Sequence, residues 1–420
     1  MSQPIALYLH IPFCETRCPY CDFNTYEGIE HLIPDYVDAL VQELHLWGNA
    51  LAKRGSPESR TWDSGGGLGP ALSEAEGVSP QITTIFFGGG TPSYLPPQHI
   101  QRLLDTARAS FHLLPQAEVS LESNPGDVTP ERLAVWRNAG VNRLSIGVQS
   151  LDDGLLRLLG RRHNALQAVE AYRNAQAAGF ANVNLDLMFG LPGQTLAQWQ
   201  DTLKRTLELH PEHLSMYCLT LEEGTPLEAW VRSGKLAEPD PDLAADMYLL
   251  AQELAEQSGY GHYEISNWAF PGYEALHNLA YWRSQPYLGV GPGAHSYLDG
   301  WRFAVIKSPA RYVQRVQECS TLPASAWAPA SLKAHGLLES ADAIDAHTAM
   351  GEAMMMGLRL SEGVSDAAFR LRFGVGLLET YPVPVAELVE LGLLCWEGDR
   401  LKLTPGGKLL GNEVFQRFVA

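Results

Sequence analysis

"HIPFCETRCPYCDF", residues 10–23, places Cys14, Cys18 and Cys21 within eight positions, spaced C-x3-C-x2-C. It follows "IALYLHIPF", an apolar run that reads as a strand, and precedes "LIPDYVDALVQELHLWGNAL", whose apolar residues recur at helical spacing. The same order then repeats. Strands "ITTIFFGGG", "EVSLES", "RLSIGV", "NVNLDLMFG" and "HLSMYCL" alternate with helical segments such as Pro97–Phe111 and Pro130–Ala139. Parallel strands joined by helices predict an α/β fold, a partial or full (β/α) barrel. Such a barrel collects its chemistry at the C-terminal strand ends. The cysteine loop, "GGGTPS" after Phe87, "ESNPG" at Glu122, "GVQS" at Gln149 and "DLMFGLPGQT" at Asp186 all fall there, facing one mouth.

A length of 420 residues accommodates one large and one small domain. The expected division is 1–308 for the barrel with the region after it, and 309–420 for a C-terminal domain. Residues 54–81, rich in Gly, Ser and Pro, read as a flexible insertion. From Ala346, helices "AMGEAMMMGLRL", "DAAFRLRFG" and "VPVAELVELGLL" precede a hairpin, "LCWEGDRLKLT", turning at Gly398, then a last helix, which suggests a small winged-helix-like domain. Six cysteines in so long a chain, without a signal-peptide pattern at the start, point to reduced thiols in a cytoplasm. No uninterrupted apolar run reaches the ~18 residues a membrane span needs. A formal charge of -18 without a basic patch argues against nucleic acid.

A structural zinc ion wants four tetrahedral ligands, and only His10 and Asp22 lie near the three thiols. Thiolates also suit iron–sulfur clusters, and a [4Fe–4S] cube held by three cysteines keeps one iron free for a substrate. Cys218, Cys319 and Cys395 read as small buried hydrophobes, "MMM" at Met354 as core filler, and His10 as a packing residue. "GPGAHSY" at Gly291 is a glycine-rich turn near the mouth, with no role assigned.

The cysteine spacing resembles the radical S-adenosylmethionine (SAM) enzymes, and "YLHIPFCETRCPYCDF" narrows this to the branch of oxygen-independent coproporphyrinogen III oxidases and HemW-type haem chaperones. The resemblance spans essentially the whole chain outside the insertion. It implies that Cys14, Cys18 and Cys21 hold a [4Fe–4S] cluster whose open iron chelates SAM. It further implies that Gly89, Gly90, Thr91, Glu122, Gln149, Arg161 and Asp186 contact SAM, with Tyr8 and Tyr20 packed around cluster and cofactor. The oxidases typically carry a fourth cysteine two residues past the last ligand; here that position is Phe23. They also extend further at the N-terminus. Both differences favour the chaperones, as does "HNLAYW", which matches their HNxxYW motif and implies haem binding by His277, Asn278, Tyr281 and Trp282, with His277 the axial-ligand candidate. The expectation is a cytoplasmic haem chaperone that serves haem-requiring clients, membrane-associated respiratory enzymes among them, and meets an electron donor; a homodimer is left open. No catalytic residue is assigned, and enzymatic turnover is open. The alternatives are a coproporphyrinogen III oxidase, which removes two propionate carboxylates as carbon dioxide, and a zinc-stabilised binding module.

Overall fold

The computed structural model describes residues 4–54 and 79–419. Its first half runs β1 (Ile5–Ile11), α1 (Ile33–Arg54), β2 (Gln81–Gly89), α2 (Pro97–Ser110), β3 (His112–Ser123), α3 (Pro130–Ala139), β4 (Arg143–Gln149), α4 (Asp153–Leu158), α5 (Ala165–Ala177), β5 (Val183–Phe189), α6 (Leu196–Leu207) and β6 (His213–Cys218). Of the expected insertion, Arg54 closes α1 and Gln81 opens β2, while residues 55–78 lie outside the described residues. The six strands pair in chain order, all parallel. Their interiors, Leu7, Leu9, Ile85, Phe87, Leu121, Leu144, Ile146, Leu187 and Leu214 among them, are wholly buried. Strands covered on both faces read as apolar runs, which is why they are visible in the sequence. The helices begin where side chains satisfy their first N–H groups. Thr129 caps α3 ahead of Pro130, and capping boxes Asn164/Gln167 and Thr195/Gln198 open α5 and α6.

Beyond β6 come α7 (Pro226–Arg232), α8 (Pro241–Gln257), β7 (Gly261–Glu264), β8 (Asn267–Ala269), α9 (Leu276–Trp282), β9 (Tyr287–Val290), β10 (His295–Leu298), β11 (Trp301–Val305), α10 (Pro309–Cys319), α11 (Pro329–Ala334) and β12 (Leu338–Ala343). Strand β9 pairs parallel to β1; β10, β11 and β12 extend that side antiparallel, and β8 and β7 extend the other. The result is one open sheet of 12 strands with β12 and β7 at its edges, so the partial barrel is the form adopted.

The C-terminal unit comprises α12 (Ala346–Gly357), β13 (Val364–Ser365), α13 (Asp366–Phe373), α14 (Leu377–Thr380), α15 (Pro382–Glu390), β14 (Leu394–Glu397) and β15 (Arg400–Leu403), followed by two short helices. The hairpin β14–β15 turns through Gly398 at φ +61°, and β13 adds a third strand. Met354, Phe369, Leu388, Leu401 and Phe418 form a core of their own, whereas Tyr312, Val316, Trp327 and Leu338 belong to the core of the large sheet.

One buried carboxyl ties α1 to this extension. Glu43 Oε2 accepts from the Gly291 N–H at 2.9 Å and the Tyr312 hydroxyl at 2.6 Å, and burial raises its pKa from 4.5 to about 7. A carboxyl raised in the fold contributes its stability fully below the unfolded value and loses it as pH climbs through the folded one. Between those limits the loss is about 3 kcal/mol. Glu43→Gln keeps an oxygen for both donors and is expected to flatten this slope. Urea midpoints of both chains between about pH 5 and about pH 8 check it; parallel slopes would clear Glu43 of the titration.

Candidate functional site

Main-chain bonds shape the cysteine loop. The Cys14 N–H donates to Tyr26 O at 2.9 Å, the Tyr26 N–H to Pro12 O at 2.8 Å and the Cys21 N–H to Cys18 O at 3.1 Å. The turn after β2 closes on it, with the Gly90 N–H on Ile11 O at 2.7 Å and the Thr91 N–H on Phe13 O at 2.8 Å. A Cβ at Gly90 would lie 2.7 Å from Phe13 O and 3.1 Å from Cys14 Sγ, so only glycine allows this approach. All three thiols line one cavity of about 540 Å³ at the C-terminal ends of β1 to β6.

Tyr20, Gly89, Gly90, Thr91, Glu122, Gln149, Arg161 and Asp186 line the same cavity, while Tyr8 faces its neighbour. Arg161 donates through Nη1 to Cys18 Sγ and to the Tyr20 hydroxyl, both at 3.4 Å, and through Nη2 to Gly147 O at 2.8 Å; its buried Nε has no partner. Gln149 ends β4 at φ +65°, a left-handed conformation held at a register shift. Such strain persists where surroundings over-determine it, and here it aims a strand-end side chain at the cavity. Asp186 accepts from Asn184 at 2.8 Å and Ser145 at 3.1 Å, and burial raises its pKa. Glu122 is pushed up to about 8, first by burial and then by the Asp186 charge.

These residues fit the group that the thiols call for. Two half-buried acids at the cavity wall, held toward their protonated forms, suit a ligand that brings positive charge, such as an ammonium or sulfonium. His10 is no fourth metal ligand: its Nδ1 pairs with the Tyr8 hydroxyl at 3.0 Å and its Nε2 with Asn24 O at 2.9 Å. Among the described residues no three His, Cys, Asp or Glu side chains converge on a single-ion site. A cluster takes its thiolates on separate irons and does not need that convergence. Burial raises the Cys14 and Cys21 thiols, so metal loading must displace protons. Cys218 and Cys395 depart from expectation: both are exposed, and only Cys319 is buried. Cys218 sits at the end of β6, where the strand lifts it into the cavity rim.

A second cavity, about 580 Å³, adjoins the first and shares Phe23, Gly89 and Glu122 with it. Tyr281 and Trp282 of α9 line it, together with Tyr287, Tyr297 and His295 from β9 and β10. His277 and Asn278 are not among its lining residues. His277 is 1% exposed, with Nδ1 paired to the Thr84 hydroxyl at 2.7 Å and Nε2 to the Tyr281 hydroxyl at 2.8 Å. Burial lowers its pKa to about 3, so the ring is neutral. The helix start is held by Glu118, which accepts from the Leu276 and His277 N–H groups at 3.0 and 3.1 Å. The C-terminal unit closes this cavity with Glu352, Met356 and Arg372, while Met354 is core. Sequence reading missed Glu352, Arg372, Arg302 and Lys307; His295 lay in the "GPGAHSY" turn, singled out without a role, and Met356 in the "MMM" run read as core filler, from which it departs by lining the cavity.

Comparison with known proteins places this geometry. The radical SAM superfamily profile matches residues 71–206, and the HemN C-terminal domain profile matches residues 344–410. "Heme chaperone HemW" of Bacillus subtilis is 35% identical over 417 residues, covering 99% of both chains. The protein of that name from Escherichia coli is 35% identical over 427 residues, covering 99% of this chain and 98% of its own. A solved structure of coproporphyrinogen III oxidase (HemN) from Escherichia coli, a radical SAM enzyme, superposes with a TM-score of 0.78 at 24% identity, covering 99% of this chain and 90% of the other; that likeness is one of fold. Among the described residues no helix is long and apolar enough to cross a membrane.

Proposed function

Because this chain belongs to the HemW family of haem chaperones, within the radical SAM superfamily, we propose that it holds a [4Fe–4S] cluster and SAM in the thiol-lined cavity and haem in the aromatic cavity beside it, and hands haem to haem-requiring proteins. The observation that carries this reading is the pair of adjoining cavities bordered by Phe23, Gly89 and Glu122. Phe23 is 64% exposed and stands where the resembling oxidases carry a further cysteine. A flat apolar ring at that border suits a stacked porphyrin better than thiol chemistry.

In this reading Cys14, Cys18 and Cys21 hold the cluster. Glu122 and Asp186 receive the positively charged end of SAM or its ribose hydroxyls, and Arg161 pairs with a carboxylate. When bound, cluster and SAM supply one-electron chemistry at the sulfonium C–S bond. Gly89, Gly90 and Thr91 let the main chain approach the cofactor, and Tyr20 packs against it. On the cargo side, Tyr281 and Trp282 offer flat surfaces to the porphyrin, and His277, through its bond to the Tyr281 hydroxyl, sets one of them.

The reading includes a cytoplasmic location, supported by thiols that must stay reduced to hold iron, and clients that include respiratory membrane enzymes. We also place the division between the two units near residue 344, supported by the burial of Tyr312, Trp327 and Leu338 in the first core and by the C-terminal profile match. Anaerobic reconstitution followed by haem titration tests the function. About four irons and four sulfides per chain, together with a saturable Soret band and no turnover of coproporphyrinogen III, are expected. A colourless zinc-loaded product, or decarboxylation of the porphyrinogen with SAM and a reductant, would overturn it.

A further inference from the structure

We propose that His295 is the axial ligand to haem iron in the aromatic cavity, with Lys307 and Arg372 receiving the two propionates. This rests on the haem reading above and adds the atoms that hold the cargo. Iron needs an imidazole nitrogen with a free lone pair that faces the cavity. Three histidines stand at or behind this wall. His10 has both ring nitrogens engaged, by Tyr8 and Asn24. His277 has both engaged, by Thr84 and Tyr281, and is sealed from the cavity. His295 is exposed, lines the cavity and, among the described residues, makes no ring hydrogen bond.

Its backbone is fixed. His295 opens β10, paired with Ala304 of β11, directly after a turn whose Gly291 N–H is held by buried Glu43. The carbonyl of His295 also approaches so close to Gly289 that a Cβ there would collide with it. An imidazole on so rigid a frame is presented without loss of chain freedom on binding. Partial desolvation at the cavity wall and the neighbouring cations Lys307 and Arg302, opposed by Glu339, lower its pKa, which favours the ring's ligating, neutral form.

The charges around it suit a dianionic porphyrin. Arg302 is already forked onto Glu352 and is unavailable. Lys307 and Arg372 line the same cavity, are exposed, and form no ion pair among the described residues; Arg372 rests on the Phe373 ring. Tyr281 and Tyr287, edge to face at 4.7 Å, give the ring its walls. His277 then acts as a positioning residue that orients Tyr281.

The test titrates haem into the cluster-bearing full chain and records Soret position, affinity and response to added imidazole. His295→Ala is expected to move the Soret maximum and weaken binding by at least roughly tenfold, the lower end of what even outer-shell changes produce, with imidazole restoring the native spectrum. His277→Ala is expected to weaken binding with an unmoved maximum and no rescue. Lys307→Ala with Arg372→Ala should weaken it by up to about fivefold per cation, again without a spectral shift. An unmoved Soret in His295→Ala, or rescue of His277→Ala instead, overturns the assignment while leaving the haem reading intact. A wild-type chain that takes up no haem at all sinks the haem reading, and this site with it.

Discussion

Cys14→Ser is expected to leave the chain folded and unable to hold a stable iron–sulfur cluster. Two thiolates and a hydroxyl are a poor ligand set for iron that already lacks a fourth protein ligand, so iron should fall from about four atoms per chain to below about one. The fold should barely register the change. Cys14 is buried, yet the loop is held by main-chain bonds from Cys14 to Tyr26, Tyr26 to Pro12 and Thr91 to Phe13, none of which involves the thiol. The side chain itself accepts a long bond, 3.5 Å, from the Thr91 hydroxyl, which a serine oxygen can also accept. A shift within about 1 kcal/mol in the urea midpoint of the metal-free chain follows. Cys218→Ser is the sharper control, because that thiol lines the same cavity without belonging to the loop. It should keep full iron. Retention of the cluster in Cys14→Ser, or its loss in Cys218→Ser, would mean that a different trio binds it.

The thiol cavity was legible because every part of it is local. Three cysteines fall within eight residues, and the cysteine loop and the stretches around Gly89, Glu122, Gln149 and Asp186 stand where apolar runs approach their loops, so the alternation sends them to one mouth; Arg161, in the loop after α4, came only from the family resemblance. The aromatic cavity had no such signature. Phe23 and Arg372 line it together although 349 positions separate them, and its inner wall comes from β9 and β10, strands of 4 residues each, too short to show period-two alternation. The antiparallel extension was invisible for the same reason. His277 illustrates a different limit. The HNxxYW resemblance made it an axial-ligand candidate, but on a helix His277 and Tyr281 are neighbours at i and i+4, and the tyrosine hydroxyl pairs with the Nε2 that ligation would use. The burial that completes this arrangement comes from Thr84 and Phe86 on β2, nearly 200 residues earlier in the chain.

That dependence of α9 on distant strands underlies the second large effect: Glu118→Ala should destabilise the chain by about 3–5 kcal/mol and abolish haem binding while sparing the cluster. Glu118 is 6% exposed on β3, in register with Thr84 of β2, so the two strands grip α9 side by side, one by its first N–H groups and one by the His277 ring. Among the described residues its ion-pair partner is Arg143, at 3.9 Å and equally buried, whose Nε has no hydrogen-bond partner. Removing the carboxylate therefore leaves the Leu276 and His277 N–H groups and the Ser120 hydroxyl without their acceptor and takes from Arg143 one of the carboxyls that balance it. Two further variants separate these losses. Glu118→Gln retains an acceptor for α9 but not the charge, and should fall between wild type and Glu118→Ala in stability. Glu118→Ala with Arg143→Met removes both charges, so it should recover part of the stability, yet the N–H groups of Leu276 and His277 stay unpaired and haem binding should remain lost. Urea midpoints, iron content and haem titration on the four chains decide it. If Glu118→Ala binds haem as the wild type does, α9 holds its place without the carboxylate, and Tyr281 and Trp282 are positioned by packing against β2 alone.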